Sequence, residues 1–274
     1  MHRFFVAHDI LAPIVTALQA QMPGSDASSE RMMNTGSERS FCVTLPDKIA
    51  HQVRDVLHLG EGEQLVLLDN SGDEFLVAIV KSGRAGVEVE VLERRRGKSE
   101  STVRIVLCQG LLKSARFEWI LEKGTELGVA VFAPMLCRRS MAGLEEAGSA
   151  KIQRWQRIMQ EAAEQCGRAR LPELLPIRPL LHALSDIPRG ALAFMPWEEE
   201  HGQSLREGLE GRATMGAEPT TVVLFIGPEG GLMAEEVMLA REHGVQVVTL
   251  GARILRAETA ALVAVANVMY ALGG

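Results

Sequence analysis

From Val103 to its end the chain alternates apolar, strand-like runs with amphipathic helices, and this alternation constrains the fold most. Val103–Cys108 is an apolar strand. Ser114 can cap a helix with Phe117, Ile120, Leu121 and Leu127 turned inward, closed near Gly128. Val129–Leu136 reads as the next strand. Lys151–Cys166 is a strong amphipathic helix, apolar at Ile152, Trp155, Ile158, Met159, Ala162, Ala163 and Cys166. Short strands follow at Ala191–Met195, Thr221–Ile226 and Val245–Leu250, with helices over about Ala234–His243 and Glu258–Leu272. Strands apolar on both faces need helices on both sides, so this half predicts a mostly parallel sheet in an α/β domain.

The N-terminal part reads differently. Runs at Gln64–Asp69, Glu74–Lys81 and Val87–Leu92 are separated by the turns Asn70-Ser71-Gly72-Asp73 and Ser82-Gly83-Arg84-Ala85-Gly86. In the last run Val87, Val89 and Val91 share one face, and Glu88 and Glu90 the other. Asp47 can cap a short helix with Ile49, Val53, Val56 and Leu57 on its apolar face. Residues 19–39 lack periodicity and are rich in Ser, Gly and Asn, which predicts a mobile loop. Arg94–Ser101 holds charge and turn residues without apolar anchors. It reads as a linker, or alternatively as a phosphate-contacting patch, between a small β domain at 1–93 and an α/β domain at 102–274.

Several function classes fall away. Net charge is −6, so any nucleic-acid binding must rely on local basic patches. Cys42, Cys108, Cys137 and Cys166 are scattered without a C-x-x-C, which argues against a metal site and a disulfide framework. No run is long and apolar enough for a membrane span, and Met1–Val6, followed by His8 and Asp9, does not read as a secretory signal, so a cytoplasmic protein is expected. The P-loop, dinucleotide, G-x-S-x-G and H-E-x-x-H patterns are missing.

Ligands in open α/β sheets bind beyond the carboxyl ends of strands. Two such ends run into glycine-containing, charged loops, Gly227–Leu232 and Gly251–Ala260. Their backbones can approach a ligand closely. The end of the long helix, Glu161–Arg170, is a third candidate, where arginines suit either i,i+4 pairing such as Glu164 with Arg168 or phosphate contacts.

Three segments together resemble the RsmE family of 16S ribosomal RNA methyltransferases, within the SPOUT superfamily: QGLLKSARFEWILEKGTELG at 109–128, EAAEQCGRAR at 161–170, and IGPEGGL at 226–232 paired with LGARILRAETA at 250–260. The last pair is the most specific, and the resemblance covers most of the chain. It implies a SPOUT-type α/β domain with a C-terminal trefoil knot behind a small PUA-like β-barrel, a homodimer, S-adenosylmethionine as methyl donor, and N3 of a specific uridine in 16S ribosomal RNA of the small subunit as acceptor. It also implies that the donor is held by Met195 and Pro196, by Ile226, Gly227, Glu229, Gly230 and Gly231, and by Leu250, Gly251, Ile254, Leu255, Arg256 and Thr259. Glu164, Gln165, Arg168, Lys113 and Arg138 would face RNA. The chain departs from the family in the 19–39 stretch, which looks inserted, and in Asp55 and His58, where Lys or Arg is expected.

Uridine N3 is a poor nucleophile until its proton leaves, so a carboxylate, Glu258 or Glu229, is the expected acceptor, with Arg256 stabilising the anion. The structural alternative pairs Arg256 with Glu258. No cysteine step is needed. Trp197 and Phe117 can stack on a base that must be unpaired or extruded. Two other readings stay open: a SPOUT enzyme acting on tRNA or 23S ribosomal RNA, and a non-catalytic RNA-binding protein of ribosome assembly.

Overall fold

The computed structural model describes residues 1–20, 32–33, 41–140, 148–210 and 221–273. The chain divides into two compact units, Met1–Glu100 with Ala163–Leu171, and Ser101–Ala162 with Pro172–Gly274.

The first unit runs β1 (Arg3–Phe5), α1 (His8–Ala20), β2 (Met32–Met33), β3 (Cys42–Thr44), α2 (Asp47–His51), β4 (Gln64–Leu68), β5 (Asp73–Gly83) and β6 (Gly86–Arg96). Its sheet is ordered β1-β4-β5-β6-β2, with β3 also on β6. Val87, Val89 and Val91 are buried as the alternation requires, in one core with Phe4, Leu11 and Phe75. The helix His8–Ala20 carries Pro13 in its interior, a residue that discourages a helical reading of the sequence. Of the predicted mobile loop, residues 19–20 end α1, Met32–Met33 pair with β6, and the rest lies outside the described residues.

Two expectations are corrected here. Arg94–Arg96 do not open a linker. They continue β6 against β5, because Asp73 and Glu74 on the neighbouring strand neutralise Arg94, Arg95 and Arg96. Val56 is not on a buried face: it is 59% exposed while Val53 is fully buried. Residues Gln52–Val56 form a π turn, whose i→i+5 bonding shifts the phase of the helix.

The second unit runs β7 (Arg104–Gly110), α3 (Ser114–Glu126), β8 (Val129–Leu136), α4 (Ser149–Cys166, its last turn counted with the first unit), β9 (Glu173–Leu174), β10 (Arg178–Pro179), α5 (Leu180–Ser185), β11 (Leu192–Pro196), α6 (Leu205–Glu210), β12 (Thr221–Ile226), α7 (Ala234–Glu242), β13 (Gln246–Val248) and α8 (Ala257–Leu272). The sheet is ordered β10-β8-β7-β12-β11-β13, with β9 on β8, and every described pairing in it is parallel. The two-residue period of a strand sends Val222, Leu224 and Ile226 to a core shared with α3 and α8, and Val223 and Phe225 to one shared with α5 and α7. Each of these side chains contributes roughly 1.5–3 kcal/mol by burial. The expected α/β architecture with a parallel sheet is therefore what forms. No helix among the described residues is long and apolar enough to cross a membrane.

Candidate active site

The loops that leave the carboxyl ends of β11, β12 and β13 surround a cleft of about 610 Å3. The three strands are neighbours, so loops distant in sequence emerge side by side. Leu250–Glu258 forms one wall and Ile226–Leu232 another, with Pro196, Trp197 and Glu198 between them. The end of β7 backs the second wall closely. A Cβ on Gly110 would stand 2.6 Å from the backbone nitrogen of Pro228, so only glycine fits there. Gly251, at φ +114°, has open space where a side chain would project.

Charge in the cleft is organised around an arginine that the sequence analysis did not single out. Arg116, in the first turn of α3, places Nη1 3.4 Å from Oε1 of Glu229 and Nε 3.6 Å from Oε1 of Glu258. The backbone N–H of Lys113 also donates to Oε1 of Glu229, at 3.2 Å. Two residues that line the cleft each hold a buried polar atom with no hydrogen-bond partner among the described residues: the donor Nε1 of Trp197 and the acceptor Oε2 of Glu258. Leaving such an atom unpaired costs about 1–3 kcal/mol, so they point to a polar ligand. A basic residue in a first helical turn opposes the helix dipole, and that was the one available sign of Arg116 in the sequence. Glu198 and His201, also in the lining, carried no such sign.

The structure brings most of the expected residues together. Glu229, Arg256 and Glu258 all line the cleft, as do Pro196, Ile226, Gly227, Gly230 and Gly231. From the last loop Leu250, Gly251, Ile254 and Leu255 take part. Met195 does not, being fully buried in the sheet, and Thr259 is half-buried on α8 outside the lining. Arg256 is exposed and ion-paired to no described residue, so the alternative Arg256–Glu258 pair is not what forms: Glu258 turns to Arg116.

The expected RNA-facing residues fall apart. Lys113 and Arg138 are exposed in the second unit. Gln165 is exposed, but Glu164 and Arg168 serve the first unit's interior. Glu164 accepts the backbone N–H of Phe5 at 3.0 Å. Arg168, whose side chain is 6% exposed, pairs with Glu100 at 3.0 Å, and the same carboxylate accepts the N–H groups of Ala169 and Arg170. Arg168 is thus a buried anchor held by Glu100. Phe117 is also corrected: it is buried against Trp155, ring centroids 4.5 Å apart, and cannot stack on a base. Burial, with help from Asp186 and Glu236 respectively, pushes the thiols of Cys108 and Cys137 up to about 12, so both are protonated packing groups at neutral pH.

Comparison with known proteins follows the same residues. Residues 99–269 match the RNA methyltransferase domain family. The ribosomal RNA small subunit methyltransferase E of Bacillus subtilis is 30% identical over 237 residues, 85% of this chain and 91% of that protein. The Synechocystis protein of the same name is 33% identical over 230 residues, 82% of this chain and 72% of that one. The crystal structure of a ribosomal RNA small subunit methyltransferase E from Neisseria gonorrhoeae bound to S-adenosyl methionine superposes with a TM-score of 0.77 at 27% identity, covering 98% and 97% of the two chains.

Proposed function

The chain belongs to the RNA methyltransferase family, and on that premise we propose that it transfers a methyl group from S-adenosylmethionine to small-subunit ribosomal RNA, at N3 of one uridine. The observation that carries this reading is the cleft itself: the IGPEGG and LGARILRAETA loops converge on it and leave a buried donor and a buried acceptor unsatisfied.

The lining suits the proposed donor. Its volume lies within the usual range of small-molecule sites. Backbone at Gly227–Gly231 and Leu250–Leu255 would hold the adenosine and methionine parts, with Leu250, Ile254 and Leu255 supplying apolar cover. When bound, S-adenosylmethionine supplies a methyl carbon made electrophilic by the attached positive sulfur. The chain's own task is to orient the base, exclude water and take the N3 proton. Glu258 is the acceptor we favour over Glu229, because its side chain is the more buried of the two, 14% exposed against 23%, and its Oε2 has no partner among the described residues, while Lys113 and Arg116 both donate to Oε1 of Glu229. Arg256, exposed at the rim, stabilises the negative charge that develops on the imide.

The remaining parts of the reading follow the family resemblance. The six-stranded sheet of the first unit is assigned as a PUA-like barrel that anchors RNA, and the second unit as a SPOUT domain with its C-terminal knot. Lys113, Arg138 and Gln165 are the exposed residues assigned to RNA. A homodimer is supported by α8, which buries Ala261, Ala264, Val265 and Val268 within its unit yet leaves Tyr270 93% exposed. Action in the cytoplasm follows from the substrate.

The test has two stages. Calorimetry should show S-adenosylmethionine binding to the purified protein, and donor labelled in its methyl group should then label small subunits that lack this methyl. Label on tRNA or the large subunit instead would move the substrate, and absence of donor binding would favour a non-catalytic protein of ribosome assembly.

A further inference from the structure

We infer that Arg116 is the positioning residue of this site: its guanidinium gathers Glu229 and Glu258 from two segments distant in sequence and leaves Oε2 of Glu258 as the atom that receives the uridine N3 proton. The inference rests on the reading of the cleft as a uridine N3 methylation site, and it adds a residue that neither the motifs nor the resemblance assigned.

Three elements meet at this guanidinium. Arg116 comes from the first turn of α3, Glu229 from the loop after β12, and Glu258 from the first turn of α8. Nη1 addresses one carboxylate and Nε the other. Two carboxylates sharing a guanidinium would otherwise repel each other across the cleft, and an arginine stays charged at any working pH, so it cannot itself take the proton. Its planar fork can serve two partners at fixed angles, which a lysine ammonium cannot reproduce.

A plain surface ion pair is the simpler explanation, and three observations speak against it. The side chain of Glu258 is only 14% exposed. Its second oxygen is buried with no partner among the described residues, although a pair built for stability would satisfy both. Arg116 also sits where the helix dipole disfavours a cation, so α3 gains nothing locally from it. In the proton step the N3–H bond breaks, its electron pair stays on N3, and Oε2 of Glu258 gains the proton and later releases it to water.

The experiment compares Arg116→Gln, Arg116→Lys, Glu258→Gln and the double variant Arg116→Gln/Glu258→Gln with the unmodified protein. In Arg116→Gln, kcat on small subunits lacking the methyl should fall about 100-fold. Donor affinity and KM for the subunit should stay within about threefold, and lysine should restore roughly tenfold of the loss. In the Glu258→Gln background the same change should cost no more than about threefold further, because the two residues act as a unit. Equal losses in both backgrounds, or a loss confined to KM and donor affinity, would overturn the inference. Melting temperatures of the same proteins, without RNA, give an independent reading. Arg116→Gln should destabilise less when Glu258 is already Gln, and additive shifts would count against the pairing. Coupled melting with no transfer by the unmodified protein would sink the substrate reading while leaving Arg116's hold on Glu258 standing.

Discussion

Glu258 stands in the first turn of α8, where the helix dipole favours a negative charge, and turns one oxygen to Arg116 while the other is buried with no partner among the described residues. Replacing it with Gln keeps the shape and removes the proposed proton acceptor. Glu258→Gln should lower kcat by about 10²–10⁴-fold while donor affinity stays within a few fold; loss of donor binding instead would make Glu258 a shaper of its loop. At this scale the sequence was uneven. Glu229 and Glu258 stood in loops whose spacing was distinctive, so both were legible. Arg116 was not, because one arginine in a long amphipathic helix acquires its meaning only from two acids that lie 113 residues and more than that away in sequence. Arg168 was legible as important but not as buried, since nothing local announces Glu100 as its partner.

At the scale of elements, the end of β7 sets the position of the loop after β12. Gly110→Ala would push a Cβ into the backbone of Pro228, and the loop must move to admit it. Overpacking of this kind costs about 1–3 kcal/mol, so donor affinity should weaken roughly tenfold or more; unchanged affinity would show that the loop is free to shift. The β5–β6 hairpin offers a test by pH. Burial alone would push the Glu74 carboxyl up, yet hydrogen bonds from Arg3 and Arg95 outweigh it and hold the group below its ordinary value of 4.5. A carboxylate held low stabilises the fold above its unfolded value, and that contribution is lost as pH falls through its folded one. Glu74→Gln should therefore lower stability at neutral pH, and in thermal melts the gap to the unmodified protein should narrow as pH drops below 4.5. A gap independent of pH would assign the cost to packing. The same hairpin shows why its end escaped the sequence reading: three consecutive arginines look like a solvated linker until the acids of the neighbouring strand are placed beside them. The strands and helices of the second unit were legible because hydrophobic period is a local property. The π turn after α2 was not, since its phase shift leaves no compositional mark.

The whole molecule carries a net charge of −6, which gives no general attraction to RNA. Recognition must then come from local groups and from assembly, and the proposed dimer through α8 is where this matters. Tyr270→Asp places a charge on a side chain that is 93% exposed in the single chain, so folding should be unaffected. Light scattering should show a two-chain mass for the unmodified protein and a one-chain mass for the variant; a single-chain mass for both would remove the dimer. The resemblance to ribosomal RNA methyltransferases could be read from the loops, but neither charge nor periodicity names the RNA or the atom modified. One measurement reaches that claim directly. Small subunits lacking the methyl group are incubated with the protein and S-adenosylmethionine, and the RNA is then copied by reverse transcriptase. A methyl on N3 blocks base pairing, so a single donor-dependent stop at a uridine of the small-subunit RNA is expected. Full-length copies, from protein shown to bind the donor, would contradict the assignment of N3 of a small-subunit uridine as the target.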